Sequence, residues 1–132
     1  MMPRILSLDT ETEILGLLHA IFERAGYEHI YTTDNEEALS ILRSQKVDLF
    51  TQNIMRPKMS GCELYQLMRS EERLHDIPVL VITTLSPMIL SRDCQDMIRD
   101  LYPHNYMMMP FSPQDLLAVI RRILAETPRN VC

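Results

Sequence analysis

Apolar residues along this chain fall into two kinds of stretch. After Thr10, the positions Ile14, Leu17, Leu18, Ile21, Phe22 and Ala25 recur at helical spacing, and Gly26 stands where a helix should stop. After Ser112, Leu116, Ile120, Ile123 and Leu124 do the same, and Pro128 closes the run. Two shorter helices are predicted from Ala38, Leu39, Ile41 and Leu42, and from Leu64, Leu67 and Met68. A fourth, over about Pro87–Leu101, has no glycine stop and is closed by Pro103. Between these lie short apolar runs predicted as strands: Ile5–Leu8, His29–Thr32, Val47–Thr51, Val79–Thr83 and Tyr106–Met109. Val79–Ile82 is apolar without alternation, as a strand covered on both faces must be.

Helix starts repeat with the same rhythm. Thr10 precedes Glu13, Asp34 precedes Glu37 and Ser60 precedes Glu63, each three residues apart; Ser86 and Ser112 are each followed by proline. A side-chain oxygen at such a position can accept a free first-turn amide, with an acid or a preset proline behind it. The five candidate caps stand 24, 26, 26 and 26 residues apart, the rhythm of strand–loop–helix units. Five such units with right-handed crossovers predict an α/β fold, a three-layer αβα sandwich around a parallel sheet. One domain is expected over residues 1–127, with 128–132 as a tail or the start of a linker.

Composition narrows the class. A chain of 132 residues that is 46% hydrophobic and 23% charged is globular, and at this size about two-thirds of its surface can be buried without staples. No stretch reaches the ~18 apolar residues of a membrane span. The net charge of −5 argues against a nucleic-acid face and is otherwise read as solubility. Cys62, Cys94 and Cys132 are odd in number and far apart, which points to reduced thiols in the cytoplasm. Cys62, near a helix start, is read as a buried inert thiol rather than a redox sensor. His19, His29, His75 and His104 are scattered without ligand spacing, so no metal site is expected from them.

In an open parallel sheet, ligands bind outside the carboxyl ends of the strands. Those ends are Asp9, Asn53, Thr83 and Met109. Four blocks around them resemble the receiver domain of bacterial response regulators: ILSLDTETEIL (residues 5–15), NIMRPKMSG (53–61), IPVLVITT (77–84) and YMMMPF (106–111). The resemblance implies a five-stranded sheet in the flavodoxin-like order 2-1-3-4-5. It also implies a pocket with two acids for magnesium, an aspartate that accepts the phosphoryl group, a hydroxyl residue and a lysine. In this chain Asp9 and Thr83 match that pattern. Thr10 stands at the second acid, Asn53 at the acceptor and Met109 at the lysine. Tyr106 matches the family's switch aromatic. The surface of the fourth helix, fifth strand and fifth helix is where such domains dimerise or meet partners.

Phosphoryl transfer needs an aligned nucleophile and cations around the moving group. The Asn53 amide is a poor nucleophile, and Met109 cannot pair with phosphate. Magnesium takes one or two carboxylates with water, which leaves Asp9 alone for a weak site. Methionine in place of the lysine also avoids an unpaired buried charge. Met55, Met59, Met107, Met108 and Met109 are expected around this pocket as filling rather than as a soft metal site. Thr83 is expected to bond locally. The resulting expectation is a degenerate receiver, not an enzyme and without a cofactor. It would act through contacts with a signalling protein or output domain, or as a homodimer. A phosphoryl-accepting switch disabled at Asn53, and a small-ligand sensor using Thr10, Asn53 and Thr83, remain open.

Overall fold

The computed structural model describes residues 2–53 and 59–126. Five parallel strands form one sheet in the order β2-β1-β3-β4-β5: β1 Arg4–Leu8, β2 Glu28–Thr32, β3 Leu49–Asn53, β4 Val79–Thr83 and β5 Tyr106–Met108. The helices are α1 Thr12–Arg24, α2 Asn35–Ser44, α3 Met59–Ser70, α4 Pro87–Asp93, α5 Gln95–Leu101 and α6 Pro113–Glu126. The α/β sandwich and its strand order are those expected. The Val79–Thr83 strand is buried at every position, as its unbroken apolar run requires. The predicted tail at 128–132 lies outside the described residues.

Strand alternation divides the core in two. Ile5, Leu49, Leu80 and Ile82 pack with Leu18 and Phe22 of α1 and with Leu116, Ile120 and Ile123 of α6. Leu6, Leu8, Phe50, Val79 and Val81 pack on the other face. They meet Ala38 and Leu42 of α2, Leu64, Tyr65 and Met68 of α3, and Met97 and Leu101 of α5. Each large apolar side chain so buried contributes about 1.5–3 kcal/mol relative to exposure.

Three of the expected caps act as read. Asp34 accepts the Glu36 amide at 3.3 Å, Ser86 the Ile89 amide at 3.3 Å and Ser112 the Asp115 amide at 3.0 Å. Gly26 takes φ 90°, a left-handed conformation that glycine adopts without a Cβ clash, and ends α1. Two caps are corrected. Helix α1 starts at Thr12 with Glu11 as its cap residue, so Thr10 is not the cap; the Asp9 carboxylate accepts the Glu11 amide instead, at 2.9 Å. Helix α3 starts at Met59, which puts Ser60 inside its first turn. The fourth helix is also corrected. It is two helices, interrupted at Cys94, whose backbone leaves the helical region at φ −129° and ψ 51°. Among the described residues, six helices therefore cover the sheet.

Two pairings escape sequence spacing. Cys62 and Cys94 meet across α3 and the α4–α5 break, with Cα atoms 5.4 Å apart, joined as a disulfide. The expectation of isolated thiols is overturned for this pair, because the fold closes a 32-residue separation. The histidines are not all scattered either: His19 Nδ1 and His29 Nδ1 are 2.9 Å apart. The direction of that contact can be followed from the core outward. Thr51 donates to Ser7 Oγ at 2.7 Å, which leaves the Ser7 hydroxyl to donate to His29 Nε2 at 2.8 Å. His29 then carries its proton on Nδ1 and donates to His19 Nδ1, and His19 Nε2 donates to Glu23 at 3.2 Å. Burial, with His19 alongside, lowers the His29 pKa from 6.5 to about 4, so the ring stays neutral.

Candidate functional site

The strand order reverses between β1 and β3, and a parallel α/β sheet opens a crevice at the carboxyl ends flanking such a point. Register brings the predicted residues to that edge. Leu8 lies opposite Gln52, so Asp9 follows β1 beside the end of β3. Asn53 closes β3 opposite Ile82, and Thr83 closes β4 opposite Met108. Met109 follows β5, and its amide donates to the Thr83 carbonyl at 2.8 Å. The backbone therefore gathers Asp9, Thr10, Asn53, Thr83 and Met109 at one end of the sheet. The Asn53 side chain lies outside what is described, as do residues 54–58 with Met55.

Asp9 is 2% exposed, and its carboxylate turns back on its own chain to take the Glu11 amide. Thr10 beside it is exposed. Among the described residues, no cluster of three or more histidine, cysteine, aspartate or glutamate side chains could hold a metal ion. Among the described residues, magnesium would have the Asp9 carboxylate and no second acid at Thr10. Thr83 is fully buried, and its hydroxyl oxygen accepts the Leu85 amide at 3.0 Å. This is the local bond expected of a hydroxyl at a strand end. Met109 packs against the α1–α6 side of the core, and so does Met107, while Met108 is exposed. Met107 and Met109 thus face the core and Met108 the surface, rather than gathering in one cluster. The side chain of Met59 is outside the description.

Tyr106 points inward. It is 8% exposed, its hydroxyl donates to the Leu85 carbonyl, and its ring meets Tyr102 edge to face at 5.4 Å. Burial, with Tyr102 adding to it, pushes its phenol up to about 12, so it remains a donor at neutral pH. Leu85 is therefore held from two sides: its amide by Thr83, its carbonyl by Tyr106. This ties the end of β4 to β5. Sequence reasoning did not find Leu85 or Tyr102. A backbone carbonyl carries no residue signature, and Tyr102 had only its place before Pro103.

Comparison with known proteins follows the same lines. Residues 5–121 match the response regulator receiver domain family. The chain is 35% identical over 128 residues to a probable transcriptional regulator ycf27 of Porphyridium aerugineum, covering 96% of this chain and 50% of that protein. It is 33% identical over 130 residues to the DNA-binding dual master transcriptional regulator RpaA of Synechocystis, covering 97% and 52%. The chain thus spans about half the length of these relatives. A CheY-like receiver domain protein from Methanospirillum hungatei superposes with a TM-score of 0.80 at 27% identity, covering 96% and 97% of the two chains. The matching stretch runs from β1 into α6 and includes all five strands, and on that ground the chain belongs to the response regulator receiver domain family.

Proposed function

We propose that this receiver domain is a signalling module that does not use phosphoryl transfer and acts through protein contacts. One observation carries the reading: three of the five strand-end positions hold residues without the charge the chemistry needs. Thr10 and Asn53 stand where the family resemblance puts carboxylates, and Met109 where it puts a lysine. The remaining members, Asp9 and Thr83, are engaged by the backbone amides of Glu11 and Leu85. Tyr106 is turned inward, its hydroxyl on the Leu85 carbonyl.

The partner in this reading is a signalling protein or output domain, or a second copy of the chain. It would meet α4, α5, β5 and α6. Met88 is 75% exposed there, and Ile89, Tyr102 and Met108 are also exposed. Such a module would work in the cytoplasm. No helix among the described residues is long and apolar enough to cross a membrane.

Intact mass after incubation with acetyl phosphate and magnesium tests the proposal, on this protein and on Asn53→Asp. The expected result is no phosphoryl gain for the protein as it stands. A gain there overturns the proposal. A gain confined to Asn53→Asp would show that Asn53 alone withholds the chemistry, the disabled-switch alternative.

A further inference from the structure

The fold makes a pair of two cysteines that the sequence keeps apart, and places it at a mechanical weak point. Cys62 lies in the first part of α3, and Cys94 interrupts what would otherwise be one helix between β4 and β5. Both are buried, in the same apolar cluster as Tyr65, Met97, Leu101 and Tyr106. Their Cα separation of 5.4 Å falls within the range a disulfide spans without backbone movement. Cys132 lies outside the described residues.

A second tie runs beside the pair. Tyr65, one turn beyond Cys62 on α3, donates to the Asp100 carboxylate on α5 at 2.8 Å. Helices α3 and α5 are thus joined twice, once by a hydrogen bond and once through sulfur. From α5 the connection continues: the Tyr102 amide caps the helix on the Ile98 carbonyl, and the Tyr102 ring stands against Tyr106. Whatever holds Cys94 to Cys62 therefore holds the α4–α5 break against α3, beneath the face that exposes Met88, Ile89, Tyr102 and Met108.

We propose that Cys62 and Cys94 form a reversible thiol–disulfide pair that sets the mobility of the α4–α5 segment, giving this domain a redox input. The oxidant class is a low-molecular-weight disulfide such as oxidised glutathione. One cysteine thiolate attacks it and releases one small thiol, forming a mixed disulfide; the other thiolate attacks the protein sulfur of that bond and releases the second. The protein loses two protons and two electrons, and the small disulfide gains both. Access to the buried sulfurs comes from opening at Cys94, between two helices of seven residues each. In the oxidised form the break is pinned to α3. In the reduced form the Tyr65–Asp100 bond and the packing of Met97 and Leu101 hold α5 alone.

The test uses the whole chain with Cys132→Ser, which removes the third thiol. It is first reduced with dithiothreitol and freed of it, then incubated with oxidised glutathione and again with dithiothreitol, and followed by intact mass, melting and amide hydrogen exchange. The expected result is a loss of two hydrogens, reversed by dithiothreitol. The oxidised form should melt up to about 10 °C higher, as closing a loop of this length predicts. Amides over residues 87–102 should exchange more slowly when oxidised, and those of α1 should not change. Adding Cys94→Ala should leave a mixed disulfide at most and abolish the exchange difference. Two thiols that stay unreacted, or a disulfide that leaves exchange over 87–102 unchanged, would overturn the proposal. The readout is a loss of hydrogens rather than a phosphoryl gain, so its failure is separate from failure of the phosphorylation reading.

Discussion

On one face of the sheet, α1 and α6 cover Ile5, Leu49, Leu80 and Ile82 with two helices of 13 and 14 residues. On the other, α3, α4 and α5 are joined by devices that reach across the chain: the Cys62–Cys94 pair, Tyr65 on Asp100, and Tyr106 on Leu85. The first face is held by long apolar stripes, with one polar chain running through it from Thr51 to Glu23. The second has its own apolar cluster under α2, α3 and α5, and adds a few specific links around a broken helix. A long stripe spreads its stabilisation over many contacts and opens only with the whole domain. A broken helix of two short pieces depends on single bonds and can open locally. The break between α4 and α5 is thus where local opening is expected, while α1 and α6 should open with the whole domain.

Three substitutions sharpen that contrast, in descending order of effect. Phe22→Ala should cost about 3–5 kcal/mol in denaturant unfolding, because Phe22 is fully buried beneath α1 and leaves a cavity. The loss should be global, with the whole chain unfolding in one step; a local loss confined to α1 would break the comparison.

His29 predicts a pH dependence that belongs to the same face. Its pKa is about 4 in the folded protein against 6.5 unfolded. Between those values the unfolded chain takes up a proton that the folded one refuses. Its contribution is therefore complete above pH 6.5 and is lost as the pH falls toward 4, by about 2–3 kcal/mol. His29→Gln cannot take that proton, so its stability should fall less over this window when both are unfolded in urea at each pH. Equal slopes for the two proteins would refute the neutral histidine chain.

Tyr106→Phe should have the smallest global effect, about 1 kcal/mol for one hydrogen bond to the Leu85 carbonyl. Its local effect should be large: amides over residues 85–93 should exchange faster, while those of α1 keep their protection. If α1 loosens equally, the two faces are one cooperative unit and the contrast fails.

Much of this could be read from the chain. The α1 and α6 stripes, the caps at Asp34, Ser86 and Ser112, and the stop at Gly26 are local patterns, set by residues within one or two turns of each other. The fully apolar β4 announced a strand covered on both sides, and the order of the four strand-end blocks announced the family and the edge where Asp9, Asn53, Thr83 and Met109 meet. The misread caps were at Thr10 and Ser60, where Asp9 and an earlier helix start displaced the expected ones. Such contests between neighbouring polar groups turn on backbone geometry within one residue.

What the sequence determined by itself is local: the period of each stretch and most turns between them. Tertiary structure alone decided which distant side chains meet. The His19–His29 contact joins a helix to a strand, the Cys62–Cys94 pair closes a long loop, and Tyr106 finds a carbonyl that any residue at position 85 would offer. None of these leaves a periodic trace, because each is formed by the packing of elements whose own patterns concern only their apolar faces.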